Sequence, residues 1–88
     1  MERKEDYIAL ISEIVEKQAV ILGPDIALLK ARSIPALVFN DGKVTDIKGD
    51  MDQALQALID EYVELSGLIV KNALGSIFSK YPNIKKLN

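Results

Sequence analysis

In the segment LIVKNALGSIF, residues 68–78, seven of the eleven residues are apolar. A helix at the surface of a small domain needs a single apolar stripe to cover the core. This segment carries more apolar side chains than one stripe holds. The excess predicts that a second surface, besides the core, covers the segment.

The segment forms the second half of a predicted terminal helix that begins at Met51. Asp50, with Gln53 three residues later, is a variant of the capping box, in which the carboxylate accepts a hydrogen bond from an unpaired backbone amide. Apolar residues then recur at helical spacing to about Ser79, shortly before Pro82. We therefore expect a helix from Met51 to about Ser79.

This helix is too long for the domain that carries it. An unbroken helix of about 29 residues would be about 44 Å long. A compact domain of 88 residues has a diameter of only about 30 Å. Either the helix breaks at Gly67 or Gly75, with Gly67 the preferred bend, or its overhang packs on another chain.

The predicted self-association surface consists of Leu68, Lys71, Leu74 and Phe78. At 100° per residue, Leu74 and Phe78 lie about 100 to 140° around the helix from the main stripe, with Leu68 further round. The glycines on that flank would allow a second helix to approach closely. We expect a homo-oligomer, with a dimer favoured. In the alternative, the terminal helix folds back on its own hairpin.

Two helices are predicted before the hairpin. Apolar residues recur at intervals of three and four from Arg3 to Leu22, and Gly23 and Pro24 end that helix. A shorter helix follows from Pro24 to Ala31. Gln18 falls within the apolar stripe of the first helix, and we expect its amide to be hydrogen-bonded in the core or at its boundary.

A β-hairpin is predicted around Asn40, Asp41 and Gly42, with strands over residues 36–39 and 43–47. Two registers remain open. A two-residue loop of Asp41 and Gly42 would pair Phe39 with Val44, whereas a three-residue loop with a glycine bulge would pair Val38 with Val44. Both registers place Asp46 near apolar neighbours, so we expect it at an edge.

These elements make residues 1–88 a single α+β domain in the order ααββα. Two strands do not bury a sheet face well by themselves, so we expect pairing of two copies to complete the core. The order of helix, two strands and helix is similar to that of small dimeric adaptor domains of the roadblock kind over part of the chain. This similarity implies no particular site residues.

Charge is distributed unevenly along the chain. Residues 1–65 contain all thirteen acidic residues and have a net charge of −6, whereas residues 66–88 have a net charge of +4. The basic end predicts docking on an acidic partner or an anionic surface. Alternatively, Lys80 complements a helix C-terminus and the last lysines keep the tail soluble.

The chain has no cysteine and no apolar leader, so we expect a cytoplasmic protein.

The residue types argue against most catalytic chemistry. The chain has no histidine and no cysteine, so the commonest general base, the commonest metal ligands and the thiol nucleophile are missing. No Gly-x-Ser-x-Gly or phosphate-binding glycine loop occurs. The aspartates at positions 41, 46, 50 and 52 do not have the spacing of a calcium loop. We expect no enzymatic activity, cofactor or metal.

The leading hypothesis is a non-catalytic interaction or regulatory module that self-associates through its apolar C-terminal helix, with an unidentified protein as a further partner. The alternative is a small-ligand sensor with an apolar pocket to which Gln18, Tyr62 and Ser66 contribute polar contacts. The first 48 residues also follow the order of a winged-helix DNA reader. That function is less favoured, since its candidate recognition helix holds only Lys30 and Arg32. A membrane-surface role is disfavoured because the terminal helix lacks a strongly basic face.

Overall fold

Four helices and one two-stranded hairpin make up the protein in its computed structural model, which describes residues 3–81. Side chains are described for all of these residues except those at positions 3, 66 and 68–70. The elements in chain order are α1 (Arg3–Leu22), α2 (Pro24–Arg32), β1 (Leu37–Asn40), β2 (Lys43–Ile47), α3 (Met51–Ser66) and α4 (Leu68–Phe78). The α+β class is confirmed.

The first two helices begin and end where glycine and proline direct them. The predicted bounds of α1 are confirmed, and α2 extends one residue beyond its predicted end to Arg32. Gly23, between them, has a φ of 99°, a conformation that residues with a Cβ rarely adopt. Pro24 then occupies the first turn of α2, where its missing N–H has no intrahelical partner to lose.

The hairpin has the shorter of the two predicted loops. Asn40 lies opposite Lys43, and Phe39 lies opposite Val44. The loop residues Asp41 and Gly42 both have positive φ, at 55° and 76°, as a tight two-residue hairpin turn requires. The register then shifts between Val38 and Phe39.

Asp46 lies at the rim of the sheet. It pairs with Val38 across the hairpin, and its carboxylate forms a 2.9 Å ion pair with Lys4 of α1. This ion pair and a hydrogen bond from the backbone N–H of Ile47 hold the pKa of Asp46 below its usual value. The side chain is about half exposed (47%), so this pair contributes little to stability.

The predicted long helix breaks at Gly67. Asp50 caps the start of α3 by accepting hydrogen bonds from the backbone amides of Asp52 and Gln53, at 2.9 and 3.2 Å. At the other end, Gly67 adopts φ 56° and ψ −121°. This conformation is essentially restricted to glycine and turns the chain between α3 and α4.

Because of this break, α4 folds back against α1 and α3. The principal extents of the molecule are 33 × 27 × 17 Å, shorter than an unbroken terminal helix. The side chains of Leu74, Ile77 and Phe78 on α4 are buried. The terminal segment thus folds back on its own domain in the single chain, with α1 and α3 as its neighbours.

One apolar core joins the helices to the inner face of the hairpin. Its buried members come from all six elements and from the α2–β1 connection. The hydrophobic members are Tyr7, Leu10, Ile11, Ile14, Ala27, Ala31, Ile34, Leu37, Val44, Ile47, Ala54, Leu55, Leu58, Ile59, Tyr62, Leu74, Ile77 and Phe78. Tyr7, near the start of α1, also donates a hydrogen bond to Asp52 in the first turn of α3.

Candidate functional site

The residues of the predicted self-association surface lie in different environments. Leu74 and Phe78 are only 5% and 7% exposed and belong to the core. Lys71 is exposed on α4. The Leu68 side chain lies outside the described residues, although its backbone begins α4. While α4 stays against α1, Leu74 and Phe78 are therefore out of reach of a partner.

The predicted ligand pocket is not open either. Tyr62 is fully buried, and its hydroxyl donates a 2.7 Å hydrogen bond to the carbonyl oxygen of Ala27. Burial raises the pKa of this hydroxyl well above its usual value. Gln18 is also fully buried, so neither side chain faces an open pocket. The side chain of Ser66, the third predicted pocket residue, lies outside the described residues.

Gln18 also lacks the hydrogen bonds that we expected for its buried amide. Neither its amide nitrogen nor its amide oxygen has a hydrogen-bond partner. The prediction of a hydrogen-bonded core glutamine is therefore wrong. Its position on the buried stripe of α1 fixes the burial, and that stripe is otherwise apolar. An unpaired buried amide costs roughly 1 to 3 kcal/mol.

Exposed aliphatic side chains that the sequence did not single out lie near the end of α1, on α2 and near the end of α3. Five large aliphatic side chains among the described residues are exposed, and we call them the apolar end. They are Val20, Ile21, Ile26, Leu29 and Leu65. Val20 and Leu29 are the most open, at 84% and 68% exposed. Together the five side chains leave a few hundred Å² of apolar surface in water, the scale of functional patches on small proteins.

Two contacts between α2 and α3 bring members of the apolar end together. Lys30 on α2 forms a 3.3 Å ion pair with Glu61 on α3, and Tyr62 is hydrogen-bonded to Ala27. Leu65 lies one turn beyond Glu61 along α3, and therefore on the face of α3 that Lys30 of α2 approaches.

The four helix ends meet in the same region. The chain passes from α1 to α2 through the single residue Gly23 and from α3 to α4 through the single residue Gly67. Since the start of α2 lies against the end of α3, the ends of α1 and α3 and the starts of α2 and α4 are close together. The apolar end thus adjoins the bend at Gly67.

Charges of both signs surround these side chains. Exposed or half-exposed carboxylates lie at position 25 of α2 and at positions 61 and 64 of α3, and ammonium groups lie at position 17 of α1, position 30 of α2 and position 71 of α4. Lys30 is engaged by Glu61, and Arg32 is the other basic residue of α2. A nucleic acid or an anionic membrane would favour a surface of predominantly positive charge. The mixed rim suits a protein surface.

The far end of α4 is tied to α1 through one carboxylate. Glu13 forms a 3.0 Å ion pair with Lys80 and accepts a hydrogen bond from the hydroxyl of Tyr81. The hydrogen bonds from Tyr81 and Lys80 lower the pKa of Glu13. In turn, the hydrogen bond to Glu13 raises the pKa of Tyr81 to about 12. Of the predicted terminal lysines, Lys80 thus binds within the chain, whereas Lys85 and Lys86 lie outside the described residues.

Neither a metal-binding cluster nor a helix suited to cross a membrane occurs within residues 3–81. In this range no group of three or more acidic, cysteine or histidine side chains is placed to hold a metal ion. No helix over the same residues has the length and hydropathy needed to cross a membrane.

Comparison of the chain with models of protein families, with curated proteins and with solved structures yields no match. What the protein does is therefore inferred from its own residues.

The sequence did contain a signal for the apolar end. Five of the nine residues of α2 are apolar, which is again more than one face of a short helix buries. They are Ile26, Ala27, Leu28, Leu29 and Ala31. In α1, Ile21 is one of the apolar residues that recur at helical spacing, but it is 38% exposed. The helix ends just after Ile21, and its last turn has fewer neighbours to cover it.

Proposed function

We propose that the protein is a non-catalytic interaction module that self-associates, with a second copy of the chain covering the apolar end. The exposure of five large aliphatic side chains on three helices supports this proposal. Covering them removes apolar surface from water at about 25 cal/mol per Å². The chain is also small, so its own core is thin and a second copy adds buried area that one chain lacks.

The charge pattern supports a second copy rather than a strongly charged partner. A two-fold symmetric contact places the same surface of two copies face to face. Such a contact is favourable when acidic and basic groups alternate around an apolar centre, because each sign then meets its opposite. The exposed acidic groups at Asp25 and Glu64 and the exposed basic groups at Lys17 and Lys71 supply both signs for such a contact.

The proposed surface differs from the predicted one in its centre. Leu74 and Phe78 are in the core of the single chain. The proposed surface therefore lies near the start of α4, and not near its end as the sequence predicted. Lys71 lies on the first turns of that helix, and the backbone of Leu68 begins it. Lys71 thus remains at the edge of the proposed surface.

The test is the molar mass of the protein, measured by light scattering after size-exclusion chromatography at several concentrations. We expect a mass near twice 9.7 kDa that falls on dilution. Leu29→Lys together with Val20→Lys should give a single-chain mass with an unchanged melting temperature, because both side chains are exposed. Ala9→Lys is the matched control, since Ala9 is exposed on the central part of α1. A single-chain mass for the unmodified protein at every concentration would refute the proposal.

The unpaired amide of Gln18 favours a second candidate function, a small-ligand sensor. A ligand with both a hydrogen-bond donor and an acceptor would satisfy the amide if the helices opened to admit it. Binding to the folded state would raise the melting temperature. We would screen small amides and carboxamides by thermal shift, with Gln18→Met as the variant that should abolish any shift. A shift that persists in this variant would exclude Gln18 as the contact.

A further inference from the structure

The connection between α3 and α4 is a single residue with a conformation that is costly for any residue but glycine. Gly67 has φ 56° and ψ −121°. Regular helical hydrogen bonding continues to this point, because the N–H of Gly67 donates to the carbonyl oxygen of Val63 at 2.8 Å. Helical φ and ψ at Gly67 alone would therefore join α3 and α4 into one continuous helix over residues 51–78.

Helix α4 makes separable contacts with the rest of the chain. It contributes Leu74, Ile77 and Phe78 to the core, and the residues that follow it bind Glu13 through Lys80 and Tyr81. Each of these contacts joins α4 or its C-terminal extension to residues that precede Gly67. A second copy of the chain carries the same α4 and would make the same contacts.

These observations set the conditions for an exchange of helices between two copies. Short connections favour exchange, because only the connection changes conformation while the contacts of the moved helix are remade with the partner. Gly67 itself is not strained, since glycine adopts positive φ readily. In an open chain, α3 and α4 would form a helix of about 42 Å. That length exceeds the 33 Å longest extent of the closed chain, so α4 would project beyond its own domain.

We propose that two copies of this chain exchange α4, each placing its Leu74, Ile77 and Phe78 against α1 of the other. This inference rests on the proposed self-association and specifies how it occurs. Because the apolar end adjoins Gly67, the crossing of the two extended helices brings the apolar ends of both copies together. Leu65, two residues before Gly67, then lies at the crossing.

Carbodiimide crosslinking of the unmodified protein tests the exchange directly. The reagent joins a carboxylate to a neighbouring ammonium group as an amide, and the 3.0 Å pair of Glu13 and Lys80 is a suitable target. Equal amounts of light protein and ¹⁵N-labelled protein would be unfolded together, refolded and concentrated to about 1 mM, the scale of effective concentration for a short connection. The dimer fraction would be crosslinked, digested and analysed by mass spectrometry.

Exchange predicts Glu13–Lys80 peptides that contain one light and one heavy partner. The pairs Lys30–Glu61 and Lys4–Asp46 are internal controls, because both members of each pair precede Gly67 and should stay within one chain. Dimers in which all three pairs carry a single label would overturn the exchange but leave self-association intact. A protein that stays monomeric at every concentration would overturn both.

A pair of glycine substitutions provides a second test. Gly67→Ala places a Cβ on a residue with positive φ, which disfavours the closed form of each chain about tenfold. A dimer that opens two such bends escapes this cost twice, so dimerisation is favoured about a hundredfold. We expect the dimer dissociation constant to fall by about that factor. Gly75→Ala is the matched control, since Gly75 is inside α4 and its added Cβ would meet no atom within 4 Å. Gly75→Ala raises the helix propensity of α4 equally in the closed chain and in the exchanged dimer. It should therefore leave the dissociation constant unchanged.

The Gly67→Ala result is decisive in either direction. A tighter dimer with light–heavy Glu13–Lys80 peptides supports the exchange. If the variant remains a single chain and loses the Glu13–Lys80 crosslink, α4 has opened without finding a second copy, which overturns the proposal. An equal change of affinity in Gly67→Ala and Gly75→Ala would also overturn it, because the effect would then come from helix propensity alone.

Discussion

The hydroxyl of Tyr62 on α3 donates a 2.7 Å hydrogen bond to the carbonyl oxygen of Ala27 on α2. Both residues are fully buried, so this bond fixes the distance between the two helices inside the core. Tyr62→Phe keeps the ring and removes the bond. We expect it to lower the free energy of unfolding by about 1 kcal/mol, measured by urea denaturation.

Tyr81→Phe is the comparison for this variant. It removes a hydroxyl that is hydrogen-bonded to Glu13 near the surface and should cost less. A Tyr62→Phe protein as stable as the parent would mean that the buried hydroxyl contributes nothing beyond the packing of its ring.

The buried amide of Gln18 predicts a stabilising substitution. Gln18→Met keeps the length of the side chain and removes two polar atoms that have no hydrogen-bond partner. We expect the free energy of unfolding to rise by about 1 kcal/mol or more, because the cost of burying unpaired polar atoms disappears. Gln53→Met, at an exposed position of α3, should change stability by less than about 0.5 kcal/mol. If Gln18→Met instead destabilises the protein, the amide has a partner in solution.

The interactions of Glu13 with Lys80 and Tyr81 at the end of α4 should contribute to the free energy of unfolding in a pH-dependent way. The pKa of Glu13 is lowered in the folded chain from its ordinary value of 4.5. Its stabilising contribution is therefore fully present above that value and is lost as the pH falls through the lowered pKa. Glu13→Gln should cost less than about 1 kcal/mol near neutral pH, as expected for a pair near the surface, and nothing in strong acid.

The measurement is the melting temperature of both proteins across the acidic range. Glu16→Gln removes the same charge from an exposed position of α1 and serves as the control for net charge. A difference between Glu13→Gln and the parent that does not change with pH would exclude ionisation of Glu13 as its cause.

Asp50 predicts the stability of the start of α3. Its carboxylate accepts hydrogen bonds from the amides of Asp52 and Gln53. Asp50→Ala should lower the free energy of unfolding by about 1 kcal/mol, whereas Asp50→Asn should retain most of the stability, since asparagine caps helices nearly as well. Equal losses in the two variants would indicate that the charge, rather than the cap, is what α3 requires.

Local features of the chain were predictable because single residues determine them. Gly23 and Pro24 separate α1 from α2, Asp50 begins α3, and the length argument correctly chose Gly67 as the break in the terminal helix. In each case the backbone conformation of one residue, or one capping side chain, fixes the boundary. The hairpin needed more information, because both of its registers satisfied the local pattern.

The coverage of each apolar surface was not predictable in the same way. The sequence of α4 showed an excess of apolar residues, and the structure buries Leu74 and Phe78 by folding that helix back. The equivalent excess in α2 leaves Leu29 in water. Helical spacing reveals how many apolar side chains need cover, but which of them receive it depends on how the helices pack, and that is a property of the whole chain.

If two copies exchange α4 as proposed, the single-residue connection at Gly67 makes the partner of α4 depend on the concentration of the protein. A helix tethered by one residue meets its own α1 at a local concentration in the millimolar range. A second copy competes for α4 as the surrounding concentration approaches that value, and at lower concentrations to the extent that the apolar ends add contacts between the copies. Such a protein would respond to its own local concentration without any ligand, modification or change in redox state.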